Sequence, residues 1–287
     1  HCENTYREAE LFASFAPQAY PQQELFDGWK EVLTNQFHDS LPGSHVRVVY
    51  EDLVESYGRC VPVGEKALRN AIEGIAEKVN TTGEGRAVVV FNSLGHNRTT
   101  LVAVEMDDAD IRIFDPQGAE IAHQFITHYE TGKRMLVFYA DDVPQAGYAV
   151  YRVVSGTSKL KASPVSVTAS SLENDFLRVE ISPEGEVVSL FDKTTNREAI
   201  DADLHGNVFH LFEDNPGRHE AWDIVSTYEK LEFDMGEASV RVLEEGPVRS
   251  AIEITRTFRS STIIQRIVLG AKARRVDFET YVDWQEQ

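Results

Sequence analysis

The sequence predicts an α+β protein of two domains, an antiparallel helical bundle over residues 1–82 followed by an antiparallel β-sandwich over residues 83–287. Three observations predict it. Apolar residues recur at helical spacing before residue 82 and at period two after it. The breaker cluster "TTGEG" (Thr81–Gly85) stands between the two regimes. The chain has 287 residues, about twice the usual domain size. A run of helices followed by a run of strands argues for separate domains.

The stretch from Tyr6 to Phe15 reads as the first helix. Leu25, Trp29, Val32, Leu33, Gln36 and Phe37 form the next stripe, with Gln36 its only polar member, and Val46, Val49, Tyr50, Leu53, Val54 and Tyr57 form another. Pro62 suits a first helical turn, where its missing N–H costs nothing. After it come Ala67, Leu68, Ala71, Ile72, Ile75, Ala76 and Val79, again one stripe. Each stripe must be covered, so the helices are expected to pack on one another.

From Ala87 onward, "AVVVFN", "TTLVAVEM", "IRIFD", "RMLVFYA", "YAVYRVV", "FLRVEIS", "VVSLFD", "SVRVLEE", "SAIEITRTF", "TIIQRIVLG" and "VDFETYVDW" read as strands. The turn sequences "DPQG", "SPEG", "DNPG" and "EEGP" separate them. No internal repeat or low-complexity tract interrupts the series.

A formal net charge of −19 repels nucleic-acid phosphates and anionic lipid, and the basic residues form no patch. No stretch approaches the roughly 20 apolar residues that span a bilayer. Nucleic-acid and membrane partners are therefore not expected. Cys2 and Cys60 make neither a disulfide framework nor a C-x-x-C metal pair, which fits a reducing, cytoplasmic setting. Because the first residue is His1 and not Met, the chain is expected to be a piece of something longer, or processed.

Two segments carry candidate chemistry. "TNQFHDSLPGS" (Thr34–Ser44) crowds polar side chains around Phe37 where a helix ends at Pro42-Gly43. His38 there suits the partial negative charge of a helix C-terminus, and Asp39 suits a turn. The same two residues also suit a binding site, although one His falls short of the roughly four ligands zinc takes. Among the nine histidines there is no H-E-x-x-H and no H-x-D. The second segment, "FEDNPGRHEAWDI" (Phe212–Ile224), sets Asp214, Trp222 and Asp223 in one loop. An aromatic face beside carboxylates suits a sugar, the ring stacking on the pyranose while the carboxylates accept its hydroxyls. A Trp packed on a sandwich edge explains the loop equally well.

The ordered set of segments resembles glycoside hydrolase family 38, the α-mannosidases. "WKEVLTNQFHDSLPGSHVRVVYEDLVESYG" is similar to the family's middle-domain motif, a helix ending in N-Q-F-H-D, a Pro-Gly turn and a V-Y-x-D helix. "VVVFNSLGHNRTTLVAV", "LENDFLRVEISPEGEVVSLFDKTTNRE", "FEDNPGRHEAWDI" and "IQRIVLGAKARRVDFETYVDWQE" resemble later parts of the β-domain in the same order. The resemblance covers nearly the whole chain and is nearest to the bacterial and cytosolic branch. It implies a truncated mutarotase-like supersandwich, and a retaining α-mannosidase with one divalent metal, usually zinc. It implies that His38 is a metal ligand and that Asp39 hydrogen-bonds mannose hydroxyls, with Asn35 and Gln36 fixing the imidazole. The family's H-x-D pair, nucleophile and general acid lie in an N-terminal domain that nothing here matches. The chain is therefore expected to be an internal fragment that is inactive alone, holds no zinc tightly, and needs that catalytic domain as its partner. The acidic loop departs from the family at His219-Glu220, where an aromatic and Asp are usual.

Two other classes compete. A non-catalytic carbohydrate-binding β-sandwich would bind sugar by itself in an NMR titration. An assembly module would form homo-oligomers visible by light scattering. The aldose epimerase sandwich, which needs a His and a Glu facing each other in its cleft, ranks last, because the sequence does not locate such a pair.

Overall fold

A computed structural model describes residues 1–286 apart from 109, 161–164, 216 and 220. The described residues form three α-helices and eighteen strands, all strand pairs being antiparallel. The helices are α1 (Cys2–Ala13), α2 (Gln22–Asn35) and α3 (Arg47–Ala76). Their shared core is Tyr6, Ala9, Leu25, Val32, Cys60 and Ala67, edged by Trp29, Tyr57 and Leu68. Tyr6 is fully buried because both neighbouring helices present glycine to it. A Cβ on Gly28 would lie 2.0 Å from its hydroxyl, and one on Gly64 would lie 2.5 Å from its ring. The hydroxyl donates to the Cys60 carbonyl at 2.7 Å.

Two expectations for the helices are corrected. Pro62 does not open a helix; it lies inside the 30-residue α3. An interior proline forfeits one hydrogen bond and crowds the carbonyl four residues back, which costs about 3 kcal/mol. The helix runs through it because the buried residues Ser56, Cys60, Gly64, Ala67, Ala71 and Gly74 form one unbroken stripe of small side chains against α1 and its connection to α2. The stripe Val46–Tyr57 is covered only in part: Val49, Leu53 and Tyr57 are half-buried, the last against the helical core. Val46, Tyr50 and Val54 are 67%, 60% and 54% exposed. The third face of α3 that would bury them meets neither α1 nor α2.

Beyond the helices, two pairs of sheets each enclose a core. In the first, β1 (Arg86–Asn92), β7 (Gly147–Ser155), β3 (Ile111–Phe114) and β4 (Glu120–Ile121) form one sheet. The other is β2 (Arg98–Glu105), β6 (Arg134–Val143) and β5 (His123–Thr127). Met106, Ile113, Leu136, Phe138 and Tyr151 lie between them. The second pair sets β12 (Arg197–Glu198), β11 (Val187–Asp192), β10 (Leu177–Ile181), β9 (Ser171–Glu173) and β8 (Ser166–Thr168) against β15 (Ala238–Glu244), β16 (Arg249–Phe258), β17 (Ser261–Gly270) and β18 (Asp277–Asp283). Leu172, Val179, Ile252, Ile254, Ile267 and Leu269 fill this core. Alternation drives the packing: in β10, Leu177, Val179 and Ile181 are buried while Arg178 and Glu180 are exposed.

The two halves are joined by polar contacts. The Gln124 side-chain oxygen accepts from the Val248 and Arg249 amides at 3.0 and 2.9 Å. Tyr129 stacks on Tyr281 at 3.7 Å between ring centres, with the Arg266 guanidinium over Tyr129. The helices reach the first half through Phe12, whose ring meets Phe91 edge-on, and through Glu8, which accepts from the Ser93 hydroxyl at 2.8 Å.

Glu198 closes the β11–β12 hairpin. Its carboxylate accepts from the Ser189 hydroxyl at 2.6 Å and from the Leu190, Ala199 and Ile200 amides. These donors, Ser189 foremost, hold its pKa down to about 2 from 4.5. A carboxyl depressed in the folded state stabilises the fold above its unfolded pKa and loses that contribution as pH falls through the folded value. Stability is therefore expected to drop between about pH 4.5 and pH 2. Glu198→Gln, which does not titrate, flattens that limb of the urea midpoint plotted against pH. An unchanged slope in the variant would remove Glu198 as a source of the acid sensitivity.

Candidate functional site

The helix α2 stops at Asn35, and the chain then makes a series of tight turns. The terminal carbonyls of Val32, Leu33 and Thr34 are taken by the Gln36 and Phe37 amides, and Phe37 in turn accepts from the Ser40 and Leu41 amides. The Ser40 carbonyl accepts from Gly43, which sits at φ +76°, a conformation glycine adopts without cost. Three of the last four carbonyls of α2 are thus taken by backbone amides, which leaves His38 little capping work to do. Its imidazole lies 3.5 Å from the Asp39 carboxylate and against the Phe37 ring at 4.2 Å. Both polar side chains look outward, 76% and 41% exposed.

Asn35 and Gln36 do not support the imidazole as expected. The Asn35 amide is turned inward and donates to the Ser56 hydroxyl at 2.9 Å, which donates on to Glu31, which also accepts from Arg59. Gln36 donates to Glu3 of α1 at 3.2 Å. Asn35 is buried, and a buried amide must satisfy its donors, so it reads α3 instead of the solvent side.

The second candidate segment comes to the first. A cleft of about 520 Å³ is lined by Ser44, His45, Val46 and Arg47, which lead into α3, and by His219, Ala221 and Trp222 from the loop of the β-region. The loop is shaped by His219, at φ +56°, whose carbonyl accepts from the Trp222 and Asp223 amides at 2.7 and 2.9 Å. Trp222 is exposed and offers its ring to the cleft. Asp214 and Asp223 are exposed but do not line it. Glu220 lies outside the described residues.

Among the described residues, no group of three or more His, Cys, Asp and Glu side chains can hold a metal ion. His38 and Asp39 supply two donors where zinc takes about four. The described residues do not by themselves make a complete zinc site.

The sequence reasoning missed the two closest His–Glu pairs, a third being His1–Glu65 at 3.6 Å. His205 Nδ1 lies 2.6 Å from Glu186, and His210 Nδ1 lies 2.7 Å from Glu232. All four side chains are on the surface, and neither pair lines one of the larger clefts. Partners 19 and 22 residues apart leave no local signal in a sequence.

Comparison with known proteins places these features. Residues 1–75 match the model of the alpha mannosidase middle domain, and residues 172–287 match that of the glycosyl hydrolases family 38 C-terminal domain. The chain is 24% identical to Alpha-mannosidase G of Dictyostelium discoideum over 318 residues, covering 99% of itself and 29% of that protein. It is 28% and 29% identical to Alpha-mannosidase 2C1 of Mus musculus and Homo sapiens, covering 26% of each. The chain thus spans between a quarter and a third of the curated relatives it matches. Its fold is similar to a family 38 glycosyl hydrolase from Enterococcus faecalis, with a TM-score of 0.80 at 16% identity over 99% of this chain and 42% of that one. An alpha-mannosidase from E. faecalis V583 gives 0.77 at 16% identity, over 97% and 40%.

Proposed function

The chain belongs to glycoside hydrolase family 38, and from that premise we propose that it is part of a retaining, metal-dependent α-mannosidase hydrolysing terminal α-mannosyl linkages. The observation that carries the reading is the solvent-facing His38–Asp39 pair after α2, in a segment whose last residue, Ser44, donates to the Asp39 carbonyl and lines a cleft together with Trp222. His38 is one ligand of a divalent metal, zinc in the first instance. Asp39 accepts hydrogen bonds from the hydroxyls of the bound mannose. Trp222 stacks on an apolar sugar face, with Asp214 and Asp223 as outer hydroxyl acceptors. The remaining metal ligands and the two carboxylates that a retaining glycosidase needs come from an N-terminal catalytic domain of the same longer protein.

Uncovered apolar surface supports such a partner. Leu33, Phe37, Leu41, Val46 and Tyr50, in and next to the segment that carries the pair, are all exposed, as are Phe26, Val48 and Val54 elsewhere on α2 and α3. The three helices are read as the antiparallel bundle of residues 1–82. The two sheet pairs of residues 83–287 are read as part of a mutarotase-like supersandwich. No described helix is long and apolar enough to cross a membrane. The free thiols Cys2 and Cys60 support a cytoplasmic location. Self-association through the β-region is a further proposal, read by light scattering.

The 287-residue chain, purified alone, is expected to retain no stoichiometric zinc after dialysis against a weak chelator. It is also expected to hydrolyse no aryl α-mannoside. Elemental analysis and a chromogenic assay check this. Bound zinc together with turnover would sink the idea that half the site is supplied from elsewhere.

A further inference from the structure

The chain has two cysteines, far apart in sequence, and the fold brings them together. Cys2 is the first residue of α1, and Cys60 lies midway along α3, two residues before Pro62. Their sulfurs are 4.0 Å apart. Cys60 is 2% exposed and Cys2 is half-buried, so one thiol of the pair meets solvent while the other waits behind it. A disulfide requires about 2.05 Å between sulfurs. A step between staggered χ1 wells moves a sulfur by about 3 Å, enough to cover the difference. With no third thiol in the chain, only one intramolecular pairing exists.

We propose that Cys2 and Cys60 form a redox-modification site, at which a disulfide-class oxidant such as glutathione disulfide converts them into one bond between α1 and α3. The Cys2 thiolate attacks the oxidant, forms a mixed disulfide and releases one glutathione thiolate. The Cys60 thiolate then attacks the Cys2 sulfur and releases the second. Two protein thiols lose two electrons and two protons, and one glutathione disulfide becomes two glutathione thiols.

Burial raises both thiols, Cys60 to about 11, so the pair stays reduced under ordinary conditions and reacts only with sustained oxidant. The bond closes a long loop, which restricts the unfolded chain strongly. It also anchors the turn of α1 that carries Glu3, the acceptor for Gln36 two residues before His38.

The test uses the full chain incubated with excess glutathione disulfide at mildly alkaline pH, followed by non-reducing peptide mapping and thermal unfolding. The expected result is a Cys2–Cys60 cross-linked peptide with the loss of two hydrogens, monomeric protein, and a melting temperature higher by on the order of 5 °C that dithiothreitol reverses. Cys2→Ser, at the half-exposed position, is expected to fold normally. It should leave Cys60 unmodified by oxidant and abolish the shift. Stable glutathione adducts without the cross-link, covalent dimers only, or no reaction in the native chain would each overturn the proposal.

Discussion

Glu244→Ala is expected to lower the unfolding free energy by about 3 kcal/mol, at the lower end of what breaking a buried ion pair costs. The two side chains involved are about one-tenth exposed, and the Arg249 fork binds both Glu244 oxygens at 2.7 Å. Burial works against the Arg249 charge, and the carboxylates of Glu244 and Glu279 outweigh it. Without Glu244 the guanidinium keeps only Glu279, at 3.4 Å. That residual partner is why the expected loss lies at the low end. The pair also sits where the Arg249 amide donates to Gln124, so a disturbed Arg249 loosens the joint between the two sheet pairs. Replacing both partners together, as Arg249→Met with Glu244→Leu, is expected to cost far less, because no deeply buried charge is left unpaired and Glu279, a third exposed, keeps its contact with water. Urea unfolding of the two variants separates these outcomes. A loss under about 1 kcal/mol in the single variant would mean that water reaches the pair and screens it.

The long elements were legible because periodicity acts over many residues. Leu177, Val179 and Ile181 alternate with Arg178 and Glu180, and this pattern places β10 without any tertiary information. The short strands β4, β8, β9, β12, β13 (Leu211–Phe212) and β14 (Glu232–Phe233) were not legible, since two or three residues carry no period. Pro62 misled for another reason. A local penalty of about 3 kcal/mol argued for a helix start, and packing along α1 overrode it. The exposed stripe through Val46, Tyr50 and Val54 shows the limit of the rule that an apolar face must be covered: periodicity says that a face exists, not that this chain covers it. For the site, the segments around His38 and Trp222 were each nominated from composition and resemblance. Their approach across one cleft was not, because it depends on how a loop of the β-region folds back on the start of α3.

In a longer protein carrying this chain together with its catalytic domain, His38→Ala is expected to lower kcat/KM for an aryl α-mannoside by at least about 100-fold. Removing a group that only orients a ligand already costs 10–100-fold, and a ligand itself costs no less. The same variant is expected to lose metal on dialysis and to change unfolding stability by less than about 0.5 kcal/mol. That split decides between the two roles the sequence allowed. A histidine that served the helix end would be worth about 0.3–1 kcal/mol of stability and nothing to catalysis. The structure already weakens that role, since the Val32, Leu33 and Thr34 carbonyls are bonded by the Gln36 and Phe37 amides and the imidazole lies against Phe37 and Asp39. Asp39→Asn supplies the control: it keeps the shape and removes the charge. It is expected to retain metal while raising KM, because its oxygens are assigned to sugar hydroxyls. Equal activity of His38→Ala and the unaltered protein, with metal content unchanged, would return the segment to a solvated helix end and leave the cleft beside Trp222 without a metal.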